Sequence, residues 1–257
     1  MEFDVLPGPS LPERARTALA RAATAIVSDA TTSPGGSAVT GPTVTGSVPI
    51  RATWDGSPLL LPPAGSPLAR WLAWRPGAVR VSLPAGAPFS ALRLTGTVTR
   101  VTEAWFAGAS GVSAWTVTIG SVEFTGGGQP RVPVAEYRAA RPDPLWRAAP
   151  GILHHLEHGH MGDLVRCVRA HGMARAECVV PCGLDRYGLE LLVLTAEGIA
   201  AVRLSFPGGP VDSLDDVPMS LRAALTCRCQ ADPGHGPRNE RGRGRGTHEV
   251  PGDRREP

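Results

Sequence analysis

The sequence predicts an α+β chain: an antiparallel β-barrel or sandwich, followed by a small layer built as helix, three-stranded meander and helix. Three observations carry this reading. Short β-rich segments separated by glycine and proline turns fill the stretch from Val48 to Phe124, a spacing typical of antiparallel barrels and sandwiches. The texture changes at VAEYRAARPDPL, where a short helix runs into Pro142 and Pro144 and a new helical pattern begins near Pro150. The remaining apolar segments then alternate in type as helix, three strands and helix.

The first element starts at Ser10, where S-L-P-E supplies a capping serine, a proline in the first turn and a glutamate three residues after the cap. Leu11, Ala15, Ala18, Leu19, Ala22 and Ile26 recur at helical spacing and predict a helix over 11–27. Ala30 to Ile50 carries no charge and reads as a short strand and a loop. VPIRATW, SPLLLPP, AVRVSL, ALRLTGTVTRV and SAWTVTIGSVEF are the predicted strands. Between the second and third, GSPLARWLAWRPG places Leu68, Trp71, Leu72 and Trp74 at the spacing of a short helix that closes one barrel end, with the tryptophans in the core.

A domain boundary is placed so that 1–145 form the barrel with its N-terminal helix, 146–229 the α+β layer and 230–257 a tail. The layer reads as a helix over about 150–170, strand ARAECVV, turn LDRYG, strand LELLVLT, turn AEG, strand IAAVRLSF and a helix from Asp216 to Leu225. The tail is rich in Gly, Pro and Arg without apolar periodicity, which predicts disorder. Its GRGRG is offset by Glu240, Glu249, Asp253 and Glu256, so nucleic-acid binding is not expected.

The composition excludes some chemistry. All 26 basic residues are arginine, so neither a Schiff-base lysine nor a P-loop lysine exists. No apolar run reaches the roughly 20 residues of a membrane span, and Met1 to Leu19 lacks the pattern of a secretory signal, so a cytoplasmic location is expected. The five cysteines, Cys167, Cys178, Cys182, Cys227 and Cys229, then read as reduced thiols; C-V-V-P-C and C-R-C lack the C-x-x-C spacing of redox or zinc motifs.

Candidate site residues concentrate in ILHHLEHGHMGDLV, which holds four of the 7 histidines. On one continuous helix Leu153, Leu156, His160, Leu164 and Cys167 share the packed face, His154 and His158 share a flank, and His155 points elsewhere. Two histidines at i, i+4 fall short of the three or four ligands of a zinc site, so no metal is expected there. An imidazole in an apolar seam needs partners, and Asp163 or Glu157 can satisfy His160; it is either a structural histidine or a ligand. In LDRYG, Asp185 and Gly188 suit a hairpin with Arg186 and Tyr187 at its tip, either as plain turn residues or as a pair for a carboxylate or a partner protein. For a flavin phosphate the strand-borne set is Arg51, Arg80 with Ser82, and Arg93 with Thr95, an incomplete cradle.

LLLPPAGSPLARWLAWRPGAVRVSL followed by LRLTGTV resembles the FMN-binding split barrel of the pyridoxamine-phosphate-oxidase-like fold. PDPL through HHLEHGHMGDLV, then CGLDRYGLELLV and VRLSF, resembles the domain of unknown function DUF2470 in its actinobacterial form. Together they cover about Ser10 to Arg228. The resemblance implies a split antiparallel β-barrel, a homodimer, and a likeness to haem-utilisation proteins and to the plastid regulator of glutamyl-tRNA reductase, neither dependent on flavin. It implies haem or tetrapyrrole binding in a handling or regulatory role; a haem-degrading or flavin-dependent oxidoreductase and a non-catalytic protein regulator are the alternatives. FMN itself is not expected. No set of catalytic residues can be read, so enzyme activity stays open. The pattern H-M-N-x-D-H is replaced by His160-Met161-Gly162-Asp163-Leu164-Val165, without the asparagine and second histidine. His160 and His248 in the tail are the two axial-ligand candidates, with His235 as a tail alternative.

The implied homodimer agrees with tryptophans at Trp54, Trp71, Trp74, Trp105 and Trp115, more than one barrel core needs. Light scattering should therefore give about twice the 26.8 kDa of one chain. A monomer at all concentrations contradicts the dimer.

Overall fold

The computed structural model describes residues 8–30, 45–74, 77–84, 91–102, 111–125 and 131–226. The predicted tail, with Cys227, Cys229, His235 and His248, lies outside the described residues, as does Trp105.

Helix α1 (Leu11–Arg21) opens with the expected capping box: the Glu13 amide donates to Ser10 Oγ at 3.4 Å and the Ser10 amide to Glu13 Oε2 at 2.8 Å. It ends earlier than the periodicity predicts. Residues from Thr24 onward leave the helix as strand β1 (Thr24–Asp29), in which Ala25 and Val27 face inward while Ile26 is 46% exposed. A central strand position, paired on both sides, outweighs the weak helical preference of Thr, Ile and Val.

Strands β2 (Gly46–Ala52) and β3 (Pro58–Leu60), helix α2 (Pro67–Trp74), and strands β4 (Ala78–Leu83), β5 (Ala91–Arg100) and β6 (Trp115–Thr125) complete the barrel. All pairings are antiparallel in the order β3-β2-β1-β4-β5-β6, and Leu59 and Leu60 of β3 pair with Thr116 and Trp115 of β6, closing six strands into a ring. Strand β7 (Arg131–Val132) adds to the outer edge of β6. Register follows the two-residue period: Val27, Val81, Leu94, Val122 and Val132 line one inward row and are all buried. In α2, Leu68, Ala69 and Leu72 meet the barrel and Trp71 is half-buried. Trp74, expected in the core, is 86% exposed at the last turn, beyond the reach of the apolar face, and Trp54 is 94% exposed.

Helix α3 (Val134–Ala139) seats Tyr137 in the barrel core. The Tyr137 hydroxyl donates to Gly56 O at 2.8 Å, and the buried Arg16 guanidinium lies 5.4 Å from the ring centroid while donating to Trp54 O at 3.0 Å. Gly56 takes φ +84°, where any side chain is strained, and a Cβ there would fall 1.2 Å from Arg16 Nη1 and displace the guanidinium.

After Pro142-Asp143-Pro144 come α4 (Ala149–Gly159) and α5 (Met161–Ala170), where a single helix over 150–170 was expected. The break is at His160 (φ −132°, ψ 16°), which caps the end of one helix and the start of the next. Gly159 and Gly162 on either side lower the local helix preference. Strands β8 (Cys178–Asp185), β9 (Gly188–Thr195) and β10 (Gly198–Ser205) form the meander, and a 3-10 turn (Leu214–Asp216) leads into α6 (Val217–Thr226). Leu156, Leu164, Cys167, Val168, Leu189, Leu191 and Leu221 belong to a second apolar cluster, separate from that of the barrel. No described helix is long and apolar enough to cross a membrane.

Burial pushes the Tyr137 hydroxyl up to about 12 from 10.0. A folded-state pKa above the unfolded one means stability is fully present below the unfolded value and is lost as pH rises through the folded one. Denaturant unfolding should show a loss of about 2–3 kcal/mol between pH 10 and 12. Tyr137→Phe should be less stable at neutral pH and should lose most of the fall across that interval.

Candidate functional site

Two hollows border the C-terminal layer. The first, about 410 Å³, lies between barrel and layer and joins Ala18, Leu83, Leu92, Phe124 and Leu184 to Arg14, Arg21, Asp143, Asp185 and Glu190. Its charges are matched within the fold. Arg21 donates to Leu184 O at 3.2 Å, and burial lowers its pKa against the pull of Asp143, Asp185 and Glu190. Arg203 spans Asp185 and Glu190, the latter at 2.8 Å. Burial raises the Glu190 carboxyl, opposed by Arg203, and raises that of Asp143. Among the described residues, no histidine, cysteine, methionine or tyrosine lines this hollow. It has the character of a seam between two packed units.

The second is a groove of about 560 Å³ between α4 and α5 on one wall and α6 on the other. Leu156, Val217, Pro218, Leu221 and Leu225 supply its apolar surface; His155, His160, Asp163, Arg166 and Arg222 supply the polar groups. His160 does not occupy an apolar seam: its side chain is 40% exposed, with Nδ1 3.1 Å from Asp163 Oδ2. Asp163 also pairs with Arg166 through its other oxygen, so one carboxylate orients both an imidazole and a guanidinium. With Nδ1 carrying the proton toward the carboxylate, Nε2 keeps its lone pair, the arrangement that supports metal-ligating histidines. The His155 ring stands edge-on to that of His160, centroids 5.0 Å apart.

The helix break explains the difference from the wheel. A continuous helix carries His160 onto the face of Leu156 and Leu164; the non-helical backbone at His160 restarts the winding and leaves its imidazole on the groove. His154 and His158 lie on an exposed flank of α4, with Glu157 between them in sequence.

The other expected site residues do not join the groove. Arg186 and Tyr187 form the two-residue turn between β8 and β9 and are tied inside the chain: the Arg186 guanidinium pairs with Asp212 at 2.6 Å and stacks over Tyr187 at 5.5 Å. Burial and the neighbouring Glu13 carboxylate raise the Tyr187 hydroxyl, which places Tyr187 beside α1. A Cβ on Gly188 would meet Leu204 O at 2.2 Å, so glycine is required where β9 begins its pairing with β10. Register puts Ser47, Ile26, Ser82, Arg93, Glu123 and Arg131 in one outward row. Arg51 lies four residues along β2 from Ser47, roughly 13 Å away. Arg51 and Arg93 are therefore not brought to a common point. Cys167 is buried with Sγ 3.7 Å from His171 Nδ1 and from Ala224 O, while Cys178 and Cys182 are half-exposed free thiols on β8.

A closed antiparallel barrel with added helices and a separate three-stranded meander is an α+β split-barrel architecture. Among solved structures it is similar to a haem-binding protein from Mycobacterium smegmatis, with 24% identity, a TM-score of 0.57, and 87% of this chain and 99% of that one covered. A protein of unknown function from Agrobacterium tumefaciens matches at 18% identity and TM-score 0.36, covering 82% of this chain and 93% of that one. General Stress Protein 26 from Bacillus anthracis matches at 8% identity and TM-score 0.34, covering 47% and 98%. The first likeness concerns the fold alone, and the other two are weaker. No protein-family model matches the chain, so the DUF2470 likeness rests on the quoted residues. No curated protein matches it either.

Asp143 was not singled out from the sequence, although its PDPL setting marks a boundary. It is buried, accepts from the amides of Leu145 and Arg186, each at 2.8 Å, and its own amide donates to Thr17 Oγ1 at 2.8 Å. Asp143→Ala leaves two amide donors without an acceptor and should cost about 2–4 kcal/mol in urea unfolding. Asp143→Asn keeps one acceptor oxygen and should fall between that variant and the wild type.

Proposed function

We propose that the groove between α4, α5 and α6 binds haem or a related tetrapyrrole, and that the protein serves in haem handling or its regulation. The observation that carries this reading is His160 on the groove wall with Nδ1 held by Asp163, which leaves Nε2 as the ligating nitrogen. Arg166 and Arg222 stand on opposite walls, suited to a ligand with two carboxylates, and Leu156, Val217, Leu221 and Leu225 suit an apolar macrocycle. The volume falls within the roughly 300–1,000 Å³ of small-molecule and cofactor sites. The M. smegmatis protein of similar fold is described as haem-binding, which agrees with the reading.

When bound, haem would supply an iron centre with a visible absorption band. The protein's own contribution is to orient the imidazole through Asp163 and to hold the carboxylates with guanidinium groups. His160 is half-exposed, so the ligand would stay open to exchange, as a carrier or sensor requires. We place this function in the cytoplasm and in a homodimer, following the expectations from sequence.

Haemin titration should shift the Soret band of the full chain at one equivalent. His160→Ala should remove that shift, and Asp163→Asn should weaken binding about tenfold or more through loss of the orienting carboxylate. A His160→Ala variant with the wild-type spectrum overturns the assignment and moves attention to His235 or His248. A band that decays when reductant is added identifies haem degradation instead.

A further inference from the structure

We propose that His154, Glu157 and His158, on the exposed flank of α4, form a binding site for a divalent transition-metal ion. This does not depend on the haem reading, because it uses different side chains. Residues at i, i+3 and i+4 share one stripe of a helix, and the nitrogen and carboxylate donors of these three lie within 4.8 Å of one another. The two imidazole centroids are 4.0 Å apart with the rings inclined at 43°.

Two further features go beyond proximity. The His158 Nδ1–H donates to the backbone carbonyl of His154 at 2.8 Å, which fixes the tautomer and leaves Nε2 with a free lone pair. A second-sphere bond of this kind is the usual support of a metal-ligating histidine. Glu157 forms no hydrogen bond or ion pair among the described residues, so its charge is available to a cation. The reading from spacing alone counted two ligands; the structure adds this carboxylate as the third.

The distances suit a small ion. Bonds of about 2.0–2.1 Å at a tetrahedral angle require donors roughly 3.3 Å apart, and exposed side chains reach that from 4.8 Å by small torsional changes. Two nitrogens and one carboxylate oxygen favour Zn²⁺, Ni²⁺, Co²⁺ or Cu²⁺ over Mg²⁺ or Ca²⁺, which take oxygen ligands, and over Cu⁺, which takes sulfur. Three protein ligands leave a fourth position for water or for a donor from another molecule. All three side chains are exposed, so the ion would exchange readily with solvent.

The test uses the full chain, purified without a histidine tag, stripped with a chelator and titrated with Zn²⁺ by calorimetry in the absence of haemin. His154→Ala and His158→Ala should each weaken binding about tenfold or more, and Glu157→Gln should weaken it measurably, with circular dichroism unchanged because all three positions are exposed. Excess Mg²⁺ should not compete. Co²⁺ should give the ligand-field bands of nitrogen and oxygen donors without thiolate charge transfer. Wild-type affinity in the His154→Ala, His158→Ala double variant overturns the proposal. So does a loss confined to His155→Ala or His160→Ala, which puts the ion in the groove and leaves the haem reading to its own test.

Discussion

A buried carboxylate joins the two halves of this fold. Asp143 stands between prolines in the connection from barrel to layer, where the ring at Pro144 keeps the residue before it out of the helical region. Its amide is bonded to Thr17 on α1, and its oxygens to the amides of Leu145 and Arg186, so three chain segments meet at one residue. Burial raises its pKa, while the two amides and Arg21 act in the opposite direction. Placing the β8–β9 turn by its backbone brings Leu184 O to Arg21 and sets Asp185 and Glu190 facing Arg203. Each of these half-buried charges has a partner, and removing one partner costs more than the pair itself contributes.

The barrel strands are legible in the sequence because alternation is a local property. In ALRLTGTVTR, Leu92, Leu94 and Val98 carry the inward face in both pattern and structure. The end of α1 is not legible, since Ile26 fits a helical period and a strand period equally, and its pairing with Ser47 and Ser82 decides the matter. The single helix expected over 150–170 failed for a related reason. Periodicity ran through His160, while the glycines at Gly159 and Gly162 showed only that a break there was inexpensive. Trp74 was assigned to the core from its spacing, but a helix of 8 residues has one apolar stripe, already filled by Leu68, Ala69 and Leu72.

The candidate groove was half legible. The histidine-rich segment and Asp163 stood out, and the bond between His160 and Asp163 is a local i, i+3 relation that sequence can suggest. The opposite wall could not be read, because Val217, Leu221, Arg222 and Leu225 reach the groove only once the meander has turned α6 back against α5. Arg186 and Tyr187 show the converse. The Arg-Tyr pair reads either as plain turn residues or as a recognition tip, and the structure gives each an intramolecular partner.

The break at His160 also separates the histidines by role. On one wall His155 and His160 meet the groove, and His160 lies one turn before a carboxylate in the first turn of α5, a position where negative charge is favoured by the helix dipole. On the outer flank His154 and His158 share a stripe with Glu157 and have water on their other side. An unbroken helix would have buried one imidazole among leucines, with the cost of an unsatisfied polar group. Breaking it gives up little helix stability at two glycines and leaves every imidazole of the segment in reach of solvent or ligand.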